Sequence, residues 1–72
     1  MMQTIQAKHR GRWVDVLEAS DCYEARRRVL VHARAWPGTW FRYVDYGGRW
    51  QRVRFNEDSP GSYSGFHEMR VY

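Results

Sequence analysis

The chain should fold as a small α+β domain of order β-β-α-β-β-β, an antiparallel sheet with one helix packed on one face. Three observations predict this. Two alternating runs flank Gly47-Gly48 between Arg42 and Phe55, and a Gly-Gly pair in that setting is a strong hairpin signal. Cys22, Ala25, Val29, Ala33 and Trp36 recur at helical spacing just after a capping sequence. Short alternating segments lie at both ends, over Gln3 to Lys8 and Phe66 to Tyr72.

Taken in order, Gln3 to Lys8 is the first expected strand, with Ile5 and Ala7 on one face. His9-Arg10-Gly11 is the turn, and Arg12 to Glu18 the second strand, Val14 and Val16 alternating against Trp13, Asp15 and Leu17. Ser20 or Asp21 can cap the helix, and Asp21 with Glu24 three residues on is a capping-box variant. The helix should stop near Ala35 or Trp36, because Pro37 drives the residue before it out of the α region. Leu30 falls off the stripe, on a flank with Tyr23, Arg26, Arg27 and Arg34. Thr39 to Tyr46 and Arg49 to Phe55 are the hairpin strands, Asn56 through Gly65 a polar surface loop, and Phe66 to Tyr72 the last strand.

Seventy-two residues make one expected domain, 1–72, near the lower limit for a core that folds unaided. Aromatics are 17% of the chain, which supplies buried area from few residues. Cys22 is the single cysteine, so no internal disulfide forms, and no apolar run is long enough for a membrane span. The opening residues Met1-Met2-Gln3-Thr4 do not start a signal peptide, and the expectation is a cytoplasmic protein without a membrane partner. Net charge is +4, and every basic residue except Lys8 is arginine. That balance favours an anionic partner met by planar, multidentate contacts, although an Arg-rich coding bias would leave the same mark.

If Gly47-Gly48 is a two-residue turn, counting outward sets Asp45 opposite Trp50, Tyr43 opposite Arg52 and Phe41 opposite Arg54. The helix then covers Trp40, Val44, Val53 and Phe55, and the other face carries Phe41, Tyr43, Trp50, Arg52 and Arg54. Tyr43, Trp50, Arg52 and Arg54, with Tyr23, Arg26, Arg27 and Arg34 from the helix flank, are the candidate partner-binding residues. The bland alternative is a self-stabilised surface in which each arginine lies over its cross-strand ring, and an ordinary solvated helix with a Glu24–Arg28 ion pair. Chemistry beyond binding finds little footing. His9, His32, His67 and Cys22 match no zinc spacing, so no metal and no cofactor are expected. A nuclease set such as His67, Arg70 and Tyr72 has no spacing to support it, and no catalytic residues are assigned.

Glu18-Ala19-Ser20 followed by Ala25-Arg26-Arg27, then Gly38-Thr39, then Gly48-Arg49-Trp50 and Phe55-Asn56-Glu57-Asp58 resemble the small phage-encoded anti-CRISPR proteins that bind the type I-F surveillance complex. The similarity is to a β-β-α-β-β-β member, spans about Glu18 to Asp58 and needs a gap between helix and strand. It implies a non-catalytic, stoichiometric inhibitor that occupies the nucleic-acid groove of a host CRISPR–Cas complex by surface recognition. Two other functions fit the residues alone: a small basic nucleic-acid-binding module or regulator, and an RNase-like toxin.

Overall fold

The structure is a computed structural model describing residues 3–58 and 63–64. Strand β1 (Gln3–His9) and β2 (Arg12–Ala19) form a hairpin, helix α1 (Cys22–Ala35) follows, and β3 (Phe41–Val44), β4 (Trp50–Phe55) and β5 (Tyr63–Ser64) complete an antiparallel sheet of order β2-β1-β3-β4-β5. The chain is a small α+β fold with its helix against one sheet face. Among the described residues no helix is long and apolar enough to cross a membrane.

The helix forms where the cap and the stripe place it. Asp21 is the N-cap, its Oδ1 accepting the Glu24 N–H at 2.8 Å. Glu24 reaches back to the Ser20 N–H and hydroxyl at 2.7 and 2.8 Å, and pairs with Arg28 at 3.7 Å. The Ser20 N–H and hydroxyl, with lesser help from Arg28 and Arg27, hold the Glu24 carboxyl below its ordinary range. Ala25, Val29 and Ala33 are fully buried, and small alanines let the helix lie close on the sheet. The helix ends at Ala35 with Trp36 as its non-helical C-cap, as Pro37 predicts, but Trp36 leaves the expected apolar stripe and is 63% exposed. Trp36-Pro37-Gly38-Thr39 is a type II turn, closed by the Thr39 N–H to Trp36 carbonyl bond at 3.2 Å, with Gly38 at φ +89°. That turn swings the indole off the stripe.

The β3–β4 register differs from the expected one by one residue. The turn is a three-residue loop: the Gly48 N–H donates to the Asp45 carbonyl at 3.0 Å, and the Asp45 N–H to the Arg49 carbonyl at 2.8 Å. Of the two glycines only Gly48 is left-handed, at φ +81°, as a type I turn followed by a G1 bulge requires. The Asp45 carboxylate fastens this loop, accepting the Arg49 N–H at 2.9 Å and the Gln51 amide at 2.7 Å. Burial alone would raise the Asp45 carboxyl, but those bonds, the Gly47 N–H and the Arg49 charge outweigh it and lower the group overall. Phe41 therefore faces Val53, Arg42 faces Arg52, Tyr43 faces Gln51 and Val44 faces Trp50.

A one-residue slip exchanges the faces of a whole strand. On β4 the expected assignment stands, with Val53 inside and Trp50 and Arg52 outside. On β3 it inverts: Phe41 and Tyr43 enter the core, and Trp40 and Arg42 join the outer face. The core is Ile5, Ala7, Ala19, Ala25, Val29, Ala33, Phe41, Tyr43 and Val53, flanked by Leu17, Leu30, Phe55 and Tyr63.

Two smaller corrections follow from backbone geometry. Pairing of β1 with β2 shifts between Ile5 and Gln6, so Leu17 opposes Ile5, Asp15 opposes Gln6, and Val16 is the extra residue. Such a bulge returns Val14 and Leu17 to one face, against simple alternation. Within the expected loop from Asn56 to Gly65, Tyr63–Ser64 is a strand on β4, its ring packed edge-on to Phe55 at 5.0 Å and its hydroxyl donating to the Leu30 carbonyl at 3.4 Å. The strand expected over Phe66 to Tyr72 lies outside the described residues.

Candidate functional site

The sheet face away from the helix carries a continuous lattice of rings and cations. Its middle row is set by register: Asp15 on β2, Gln6 on β1, Arg42 on β3 and Arg52 on β4. The neighbouring row begins with the Trp13–Lys8 pair, and the Lys8 N–H to Trp40 carbonyl bond at 2.8 Å continues it to Trp40. Trp50 stands beyond Arg42 on the other side.

Diagonal contacts knit the rows. The Arg42 guanidinium carbon is 4.4 Å from the Trp13 ring centre and 4.0 Å from that of Trp50. Lys8 Nζ sits 5.1 Å over Trp13, and Arg54 and Arg52 lie 4.9 and 5.7 Å over Trp40. Each guanidinium is thus held by rings, in contacts worth about 0.5–1 kcal/mol apiece at exposed sites.

The charge on this face is unbalanced. Among the described residues no carboxylate forms an ion pair with Lys8, Arg42, Arg52 or Arg54. Arg42 and Arg52 are directly opposed across strands, an arrangement of like charges that is destabilising in itself. Trp50 keeps 46% of its surface exposed. A face with indole surface and guanidinium edges that are not ion-paired among the described residues can stack planar rings and accept anions.

Of the expected binding residues, Trp50, Arg52 and Arg54 lie on this face, and Tyr43 does not. Tyr43 is 2% exposed in the core, and burial pushes its phenol up to about 12. Tyr23, Arg26, Arg27 and Arg34 belong to α1, on the opposite side of the sheet, so the helix flank and the hairpin face are two surfaces and not one. There Tyr23 meets the exposed Tyr46, ring centres 6.3 Å apart. Residues outside the expected set complete the lattice: Lys8, Trp13, Trp40, Arg42 and Gln6. The signal for Trp40 and Arg42 was Asp45-Tyr46-Gly47-Gly48, with Asp at the first and Gly at the fourth position of a type I turn. Lys8 and Trp13 pair because the first turn is the two-residue Arg10-Gly11 and not the expected His9-Arg10-Gly11, which would set Lys8 opposite Arg12.

A second concavity, about 500 Å³, lies between the helix end and β2, lined mainly by Val14, Val16, Leu17, Trp36 and Phe41, with His9 and His32 also at its wall. His32 Nδ1 is 2.9 Å from the Arg28 carbonyl, so it is the protonated nitrogen there. Among the described residues no cluster of three His, Cys, Asp or Glu could hold a metal ion.

No protein-family model matches the chain, and neither a curated protein nor a solved structure matches it. The resemblance over Glu18 to Asp58 therefore rests on its own residues.

Proposed function

We propose that the protein is a non-catalytic binding module whose Trp/Arg sheet face docks single-stranded nucleic acid. The observation that carries this reading is the lattice of Trp13, Trp40 and Trp50 interleaved with Arg42, Arg52 and Arg54, in which no carboxylate among the described residues is ion-paired to these arginines. Unpaired bases stack on indoles at roughly 1–3 kcal/mol each, whereas duplex bases are already stacked on one another. Guanidinium edges meet the phosphates between them. A single strand held in a host nucleoprotein complex offers the same groups. The inhibitor role implied by the anti-CRISPR resemblance would thus use this face and need no catalytic residues.

The test is a titration of labelled oligothymidylate and of a duplex, from roughly 50 to 200 mM salt, since phosphate contacts make affinity fall with log salt. The single strand should bind more tightly, and Arg52→Glu or Trp50→Ala should weaken it at least tenfold, with melting within a few degrees of wild type. Equal binding by both variants would exclude the face. Co-purification with a host complex, lost in the same variants, would favour the inhibitor setting.

A second reading, an RNase-like enzyme, draws on His9 and His32 sharing one groove, because two histidines can act as acid and base. Among the described residues no carboxylate lines that groove. RNA cleavage by the wild type that is abolished by both His9→Ala and His32→Ala would establish it.

A further inference from the structure

The geometry points to Arg42 as a pre-organised phosphate fork, the fixed point at which a phosphodiester of the bound strand is gripped, an inference that rests on the single-strand reading above. Three groups restrain this one guanidinium. The Trp13 and Trp50 ring centres lie 4.4 and 4.0 Å from its guanidinium carbon, so indoles already engage its planar surface and its edge is the part it offers a ligand. Its Nε donates to Gln6 Oε1 at 2.7 Å. Gln6 is itself fixed, because its Nε2 donates to Asp15 Oδ1 at 2.7 Å, which leaves the amide one orientation. What remains is the pair of Nη groups, which have no acceptor among the described residues.

Two Nη groups on a planar frame match two oxygens of a phosphate, and a guanidinium presents them in a rigid fork where an ammonium presents a point charge. The setting selects an anion a second time. Arg52 directly opposes Arg42 across the β3–β4 ladder, so a phosphate seated between them relieves a like-charge repulsion. Trp50, 46% exposed, offers ring surface to the base attached to that phosphate. Gln6 and Asp15 touch no ligand in this scheme; they are positioning residues that hold the fork in plane.

Binding of labelled oligothymidylate is compared across salt for wild type, Arg42→Gln, Arg42→Lys and Gln6→Ala, with a thermal melt for each. Arg42→Gln should bind at least tenfold more weakly, and the slope of log K against log salt should become shallower by about 0.7, the value of one single-strand phosphate. Arg42→Lys should recover the slope but not the affinity. Gln6→Ala should lose affinity with the wild-type slope, which a merely structural loss at Arg42 would not reproduce. If Arg42→Gln fails to fold, side-chain NMR of the wild type with dimethyl phosphate decides: a saturable shift of the Arg42 guanidinium signals is expected, and its absence overturns the fork. A folded Arg42→Gln with wild-type affinity and slope overturns the fork while leaving the single-strand reading intact. A wild type that binds no single strand overturns both.

Discussion

A single phenol ties the stability of this domain to alkaline pH. Tyr43 is raised from 10.0 to about 12, mainly because burial disfavours the phenolate, with Asp45 and Cys22 adding to the shift and Arg26 opposing it. The folded value lies above the unfolded one, so the protein keeps this stability below pH 10 and loses it as pH rises towards 12. At about 1.4 kcal/mol per unit, the loss is on the order of 2 kcal/mol. Urea melts at pH 9 and pH 11.5 should show that decline in wild type, and Tyr43→Phe should largely remove it; an unchanged decline would place its origin elsewhere. Arg10 offers a gain instead. It and Gly11 form the two-residue β1–β2 turn with φ of +53° and +80°, and a left-handed arginine sits where asparagine is preferred. Arg10→Asn should raise stability by about 0.5 kcal/mol, read as a melting shift of a few degrees.

Among the elements, the β3–β4 hairpin decides which side chains are inside, and it turns on Gly48. A Cβ added there meets nothing within 4 Å, yet φ is +81°, so Gly48→Ala is disfavoured by backbone conformation alone. It should cost about 1–2 kcal/mol in a denaturant melt; a neutral result would mean that the left-handed turn is not required. The same residue marks the limit of what the sequence makes legible. The helix was readable because Ala25, Val29 and Ala33 repeat at 3.6 residues and Asp21 caps them, both local signals. The strands were readable as strands, since alternation survives a change of register. Their facing was not, because Gly47-Gly48 fits a two-residue turn as well as the last half of Asp45-Tyr46-Gly47-Gly48, and only the Asp45 carboxylate bonds to Arg49 and Gln51 separate the two. The bulge at Val16 hid Leu17 in the same way, and Trp36 kept its helical spacing one residue past the helix. Trp50, Arg52 and Arg54 were found because β4 reads alike under both registers, whereas Trp40 and Arg42 were misplaced with β3.

For the whole molecule, the sheet divides the positive charge between two sides. Arg27 and Arg34 are exposed on the helix side, and Lys8, Arg42, Arg52 and Arg54 lie on the other. Packed layers stand about 10 Å apart, and the Debye length at physiological salt is about 8 Å, so charges on the helix side are largely screened from a ligand on the sheet face. The tryptophans are divided too: Trp13, Trp40 and Trp50 take part in the lattice, and Trp36 borders the groove at the helix end. This sidedness predicts a sharp contrast. Arg27→Glu with Arg34→Glu should change oligonucleotide affinity less than about threefold at physiological salt, while Arg52→Glu should lower it at least tenfold, a loss of about 1.4 kcal/mol. Base stacking should quench tryptophan emission on binding, and Trp36→Phe should keep the quench while Trp50→Phe diminishes it. A helix-side double variant that loses binding as fully as Arg52→Glu, or a quench that vanishes with Trp36, would move the interface to the helix side of the sheet.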